Sequence, residues 1–156
     1  MLTLTRRTDY ALIALAHMAR QKKGQLCRAR EIVERYHLPS ALLVNVLKTL
    51  VQAELIRSTR GTKGGYALAL PPDRLTLGDV IRAMEGPIRF VQCTDEHGPS
   101  PCEFLNDCPV TRSVRKVHRQ LVEFLDQVTL AQIAFDGECR DRCVALSREG
   151  AALKVE

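Results

Sequence analysis

Tryptophan is absent from this 156-residue chain, and aromatic residues make up only 4% of it. That composition argues against a base-stacking platform of the single-strand-binding kind. No apolar run approaches the roughly 18 residues of a membrane span, so no membrane partner is expected. Arg6-Arg7 has the look of a twin-arginine export signal. However, Asp9, His17 and Arg20 interrupt the stretch that follows, and no small-residue cleavage site closes it. The chain is therefore read as cytoplasmic, where thiols stay reduced and a disulfide framework is not expected. Neither a Ser/His/Asp set nor a carboxylate pair stands out, and Cys–His chemistry would need His97 or His118 positioned by the fold. A non-enzymatic role is the expectation.

Hydrophobic residues make up 46% and charged residues 26%, enough for a globular core. The length suits one ordinary domain or a small domain with an appended arm. The net charge of +5 is unevenly distributed. Residues 1–75 hold thirteen Lys/Arg against five Asp/Glu, a net +8, whereas residues 76–156 hold ten against thirteen, a net −3. A basic front half points to an anionic partner, most simply double-stranded DNA.

Spacing predicts a helix over 5–21, with Leu12, Leu15, Ala16 and Ala19 on one face, and a second over 28–36. His37-Leu38-Pro39-Ser40 reads as a tight turn with Ser40 as N-cap of a third helix over 41–53, whose apolar positions are Leu43, Val46, Leu47 and Leu50. Short strands over 55–59 and 65–70 follow, joined by the basic, glycine-rich tip Arg60-Gly61-Thr62-Lys63-Gly64. This is the element order of a winged helix-turn-helix. It places Ser40, Ala41, Asn45 and Lys48 near base edges, with Asn45 suited to adenine. Arg57, Arg60 and Lys63 would extend toward phosphates or a minor groove. Thr76 is the expected cap of a short helix ending near Met84, and residues 87–109 form a long loop with four prolines. Val114, Val117, Leu121, Phe124 and Val128 then make a two-heptad seam. A small winged-helix domain closes its own core, so this long helix is expected to dimerise the chain on a palindromic operator. Thr129 to Ile133 reads as a last short helix, and 137–156 as a polar tail.

Cys93, Cys102 and Cys108 lie within sixteen residues on the proline-rich loop. Their gaps of eight and five are wide for zinc knuckles and suit an iron–sulfur cluster, whose separated irons each need a thiolate. Three thiols leave one position for another ligand, and an exchangeable fourth ligand suits a sensor. Cys27 reads as a buried small hydrophobe, and Cys139/Cys143 as an incidental pair.

Several fragments together resemble the Rrf-two family of winged-helix transcriptional regulators, which has IscR-, NsrR- and RirA-like members and the cluster-free CymR. They are Leu4-Thr5, Thr8-Asp9-Tyr10-Ala11, Ile32-Val33-Glu34-Arg35, Arg60 through Tyr66, Leu77 through Ile81, and the triple-cysteine loop, in that order to about residue 135. The resemblance implies a homodimer whose cluster, 4Fe–4S or 2Fe–2S, tunes operator affinity through Cys93, Cys102 and Cys108. NsrR-like members take a further ligand from an N-terminal acid of the other subunit, and Asp9 stands at that position, ahead of Glu96, His97 and His118. IscR-like members use a histidine three residues after the last cysteine, where this chain has Thr111. Two further departures are eight rather than five residues between the first two cysteines, and Val44-Asn45 where IscR-like members have Glu-Gln.

The expected architecture is therefore mainly α with a small β-hairpin wing: a winged helix-turn-helix over 1–75, a cluster-binding loop and dimerisation helix over 76–136, and the tail. The expected function is a dimeric DNA-binding regulator sensing nitric oxide, redox state or iron–sulfur status. The alternatives are a thiol-switch or zinc-bound regulator with the same DNA-binding half, and, from another class, an iron–sulfur electron carrier.

Overall fold

A computed structural model describes residues 3–22, 25–89, 102–103 and 107–135. Three helices come first: α1 (Arg6–Ala19), α2 (Ala29–Tyr36) and α3 (Ser40–Gln52). The strands β1 (Ile56–Thr59) and β2 (Gly65–Leu68) pair antiparallel, with Ile56 opposite Leu68 and Thr59 opposite Gly65. Helices α4 (Leu77–Glu85), α5 (Thr111–Gln127) and α6 (Leu130–Phe135) complete the chain. The architecture is the expected helical domain with a two-stranded wing; β1 begins one residue later than 55–59 implied and β2 ends two residues earlier than 65–70 implied. Among the described residues no helix is long and apolar enough to cross a membrane.

The helix-turn-helix is built by local chemistry. His37 takes the left-handed conformation (φ 53°), and the Leu38 N–H turns back to the Val33 carbonyl at 3.2 Å, which ends α2. Pro39 is the N-cap of α3 and its carbonyl accepts the Leu43 N–H at 3.0 Å. Ser40 is consequently the first residue inside the helix, not its cap, and no side chain caps that end. The expected cap at Thr76 is present: its hydroxyl accepts the Asp79 N–H at 3.1 Å, while the Asp79 carboxylate accepts the Thr76 N–H at 3.0 Å.

The third helix buries Leu43, Val46, Leu47 and Leu50 as its spacing predicts, each contributing about 1.5–3 kcal/mol by leaving water. The first helix is rotated from expectation. Its fully buried stripe is Thr8, Ala11, Ala14 and Leu15 with Met18, whereas Leu12, Ala16 and Ala19 are only half-buried. Small residues at 11 and 14 let α1 lie close against α3, α4 and α6. One core joins Leu15, Ile32 and Leu47 with Leu75, Val80, Met84 and Leu130. The apolar core therefore does not close at residue 75. The boundary there marks a change in charge, and the helices beyond it complete the same core.

Two contacts tie α5 and α6 to this body. Arg82 bridges Asp79 of its own helix at 3.0 Å and Asp126 of α5 at 2.7 Å, while the Arg20 Nε donates to the Ala134 carbonyl at 2.8 Å. Gly78 leaves room for the Arg82–Asp126 clasp, because a Cβ there would sit 1.9 Å from the Asp126 Oδ1 and displace the carboxylate.

Candidate nucleic-acid interface and metal centre

Burial of Leu43, Val46, Leu47 and Leu50 turns the opposite face of α3 outward. Ser40, Ala41, Asn45 and Lys48 all lie exposed there. The Asn45 side-chain amide has no hydrogen-bond partner among the described residues, while the Asn45 main-chain carbonyl accepts the Thr49 hydroxyl at 3.1 Å. Both the donor and the acceptor of that amide are thus available to a ligand.

The wing stands next in the chain. Arg57, Arg60 and Lys63 are exposed, but they are not equivalent. The Arg57 Nη2 turns back along the hairpin to donate to the Ala69 carbonyl at 3.4 Å. Arg60 and Lys63 pair with no carboxylate among the described residues, so the tip carries two uncompensated charges. The hairpin is braced from below. Cys27 and Tyr66 exchange two backbone hydrogen bonds of 2.8 Å, which adds a one-residue bridge on the open side of β2. The Arg28 guanidinium also donates to the Thr62 carbonyl at 3.1 Å. The glycine pair of the tip follows from this crowding, since a Cβ on Gly64 would meet the Thr59 carbonyl oxygen at 2.2 Å and one on Gly65 the Cys27 carbonyl oxygen at 2.7 Å. Arg28 escaped sequence reasoning, because its contact lies 34 residues away and a cation at a helix start reads as solvated.

The cysteines fall into distinct environments. Cys27 is buried, as expected. Burial, reinforced by the nearby Glu31 carboxylate, pushes its thiol up to about 12, so it is inert at neutral pH. Cys102 and Cys108 are half-exposed. The Cys108 thiol, where α5 begins, is held below its usual range by the neighbouring Thr111 hydroxyl first and then by the backbone amides of Val110 and Thr111, although the buried Thr111 Oγ1 makes no hydrogen bond among the described residues. Cys93, Glu96, His97, Cys139, Cys143 and the tail lie outside the described residues.

Asp9 is exposed in the first turn of α1. That turn is held by a second carboxylate, which no local pattern in the chain foretells because it lies some 80 residues away. Glu85, at the end of α4, accepts the Thr5 N–H at 3.1 Å, the Thr5 hydroxyl at 2.6 Å and the Thr8 hydroxyl. These hydroxyls hold its carboxyl below the ordinary range, Thr5 more than Thr8. His118 is buried in α5 with its Nδ1 unpartnered among the described residues. No three His, Cys, Asp or Glu side chains converge among those residues, so Asp9, Cys102 and Cys108 do not meet within one described chain. A cleft of about 460 Å³ between α1 and the segment from Ala67 to Pro72 contains none of the expected site residues.

Comparison with known proteins agrees with this geometry. The profile of the Rrf2 family, described as iron-dependent transcriptional regulators, matches residues 4–136. The chain is similar to CymR (YrzC), the global cysteine regulator of B. subtilis, at 29% identity, covering 86% of this chain and 97% of that one with a TM-score of 0.69. It is similar to Staphylococcus aureus CymR at 27% identity, over 84% and 97% with a TM-score of 0.62. It is also similar to T. potens IscR at 27% identity, over 99% and 94% with a TM-score of 0.63.

Proposed function

Because the chain belongs to the Rrf2 family of transcriptional regulators, we propose that it is a cytoplasmic, homodimeric DNA-binding regulator whose operator affinity is set by an iron–sulfur cluster. The observation that carries this reading is the extent of the family match, which includes both the wing and the cysteine loop. In the complex, Ser40, Ala41, Asn45 and Lys48 of α3 face base edges in the major groove, and Arg60 and Lys63 hold phosphates. Arg57 assists from the hairpin stem, where its guanidinium also steadies the backbone at Ala69. A palindromic operator matches the two-fold symmetry of the dimer, which pairs through the seam of α5. Val117 and Phe124 support that pairing, since each is 49% exposed in the single chain.

The donor set fits a cluster in its chemistry. Cys93, Cys102 and Cys108 supply soft thiolates, and Cys108 sits among donors that favour its ionised form. The partner subunit's Asp9 completes the set, as its exposed place in the first turn of α1 allows. A bound cluster supplies chemistry sensitive to oxidants, nitric oxide and iron supply. The protein's own part is to hold the loop at the start of α5 and to join that helix, through Arg82 and Asp126, to the body that carries α3.

A second reading, a thiol switch without a cluster, is favoured by the similarity to a global cysteine regulator and by the half-exposed Cys108, whose thiol is held below its usual range. Anaerobic purification from iron-replete cells, followed by ultraviolet–visible and Mössbauer spectroscopy, separates the two. A brown protein that loses colour and DNA affinity together supports the cluster. Stoichiometric zinc without iron, or a colourless protein whose affinity follows oxidation of Cys108, removes the cluster and leaves a zinc-bound or thiol-based regulator.

A further inference from the structure

The outward face of α3 is not uniformly polar. Leu42 and Val44 are 45% and 38% exposed, although neither contributes to the core. At about 100° per residue, Lys48, Ala41 and Asn45 point directly away from Leu43, Val46, Leu47 and Leu50. Val44 lies on one shoulder of that stripe and Leu42 on the other. Leu42 is three residues before Asn45 and Val44 is four before Lys48, so each neighbours a polar member of the stripe. Leu42, Val44, Ala41 and Asn45 fall in the first half of the helix, the part that meets base edges in a helix-turn-helix, and Lys48 follows one turn later.

Charge limits what these aliphatic groups can meet. No acidic residue occurs in α3, Lys48 lies between the two shoulders, and the adjacent wing tip carries Arg60 and Lys63 with no carboxylate partner among the described residues. The surroundings favour a polyanion that also presents methyl groups. In the major groove only thymine does so, through its C5-methyl, and it is paired there with the adenine edge that an asparagine amide bonds in bidentate fashion. An Asn45 seated on adenine leaves the thymine methyl of that pair, and those of neighbouring pairs, beside the shoulders of the helix.

Resting on the reading of α3 as the recognition helix, we propose that Leu42 and Val44 are specificity-determining residues that read thymine C5-methyl groups on either side of an adenine bonded by Asn45. The half-site is then built on A·T pairs, discriminated by apolar contact as much as by hydrogen bonds.

The test uses the full chain and a duplex that it selects from a random-sequence pool. That duplex is remade with deoxyuridine in place of thymidine, one position at a time, which deletes a methyl and leaves every hydrogen-bonding group intact. The expected result is about fourfold weaker binding by the wild-type chain at one or more half-site positions for each methyl removed. Leu42→Ala or Val44→Ala binds the thymidine duplex more weakly and is indifferent to deoxyuridine at the position it reads. Both sites are exposed, so circular dichroism should show an unchanged fold. Indifference of the wild-type chain to every deoxyuridine overturns the proposal. A penalty that persists undiminished in both variants also overturns it, because the methyls then act through DNA shape. Selection of no duplex at all refutes DNA binding itself and takes this inference with it, a result distinct from the other two.

Discussion

Lys63→Ala at the wing tip tests how the hairpin meets DNA. Lys63 and Arg60 have no carboxylate partner among the described residues, whereas the Arg57 guanidinium is engaged with the Ala69 carbonyl. A cation with no partner in the free protein gives up none on binding, so its full counterion-release effect appears in the salt dependence. Each phosphate contact contributes about 0.9 to the slope of log K against log salt, and a dimer presents two wings, so Lys63→Ala lowers the slope by about 1.8. Between 50 and 200 mM salt, the wild-type chain then loses about twelvefold more affinity than the variant does. Arg60→Ala has the same effect, and Arg57→Ala a smaller one because its charge is partly committed to the hairpin. Fluorescence anisotropy on a selected duplex at several salt concentrations reads these slopes directly. Parallel lines for the wild-type chain and both tip variants would refute the assignment, and a slope change for Arg57→Ala alone would reverse the roles of stem and tip.

Three further outcomes follow from the packing. Gly78→Ala forces the Asp126 carboxylate away from Arg82, so the helix-propensity gain of about 0.8–1 kcal/mol is offset by loss of a half-exposed bridge worth about 0.2–1 kcal/mol. In an Asp126→Ala background the same substitution stabilises by the full gain, and chemical denaturation of the four proteins in this cycle reads the difference. Glu85, held below its ordinary 4.5 by the Thr5 and Thr8 hydroxyls, contributes stability that is complete above that value and lost as pH falls through its folded pKa. Glu85→Gln should therefore unfold with a shallower loss of stability across the acid range, and equal pH dependence for both proteins would contradict the cap. Cys27, pushed up to about 12 and buried, should resist iodoacetamide at neutral pH until denaturant is added, as mass spectrometry of the labelled peptide will show.

The parts of this molecule that were legible in sequence are those with a strong contrast between faces. Leu43, Val46, Leu47 and Leu50 stand out against Asn45 and Lys48, so both the buried and the outward face of α3 followed from spacing. The first helix offers no such contrast. Alanines at 11, 14, 16 and 19 surround it, and the buried stripe is chosen by which of them permits close approach to α3, α4 and α6. Its buried polar residues are decided the same way: the Thr8 hydroxyl reaches Glu85, and His17 meets the Tyr36 hydroxyl at 3.2 Å. Those partners are 77 and 19 residues distant, beyond any local pattern. Ser40 was displaced from its cap position by the residue before it, since proline already has the extended backbone that an N-cap needs and its carbonyl remains free to accept the first helical bond.

The long helix α5 shows a different limit. Its heptad spacing was legible, but a spacing does not say against what an apolar stripe packs. Within one chain the only fully buried residue of α5 is His118, while Val117 and Phe124 remain half-exposed. The clasp of Arg82 with Asp126 fixes the C-terminal end of α5 to α4, and Cys108 lies just before the other end. The seam is exposed at Val117 and Phe124 and half-buried at Val114, Leu121 and Val128, so a helix fixed at one end and starting beside Cys108 keeps part of its apolar stripe available to a second copy. In the proposed dimer, closure of that seam by a second copy would join the start of each α5, beside Cys108, to the other subunit's DNA-binding body.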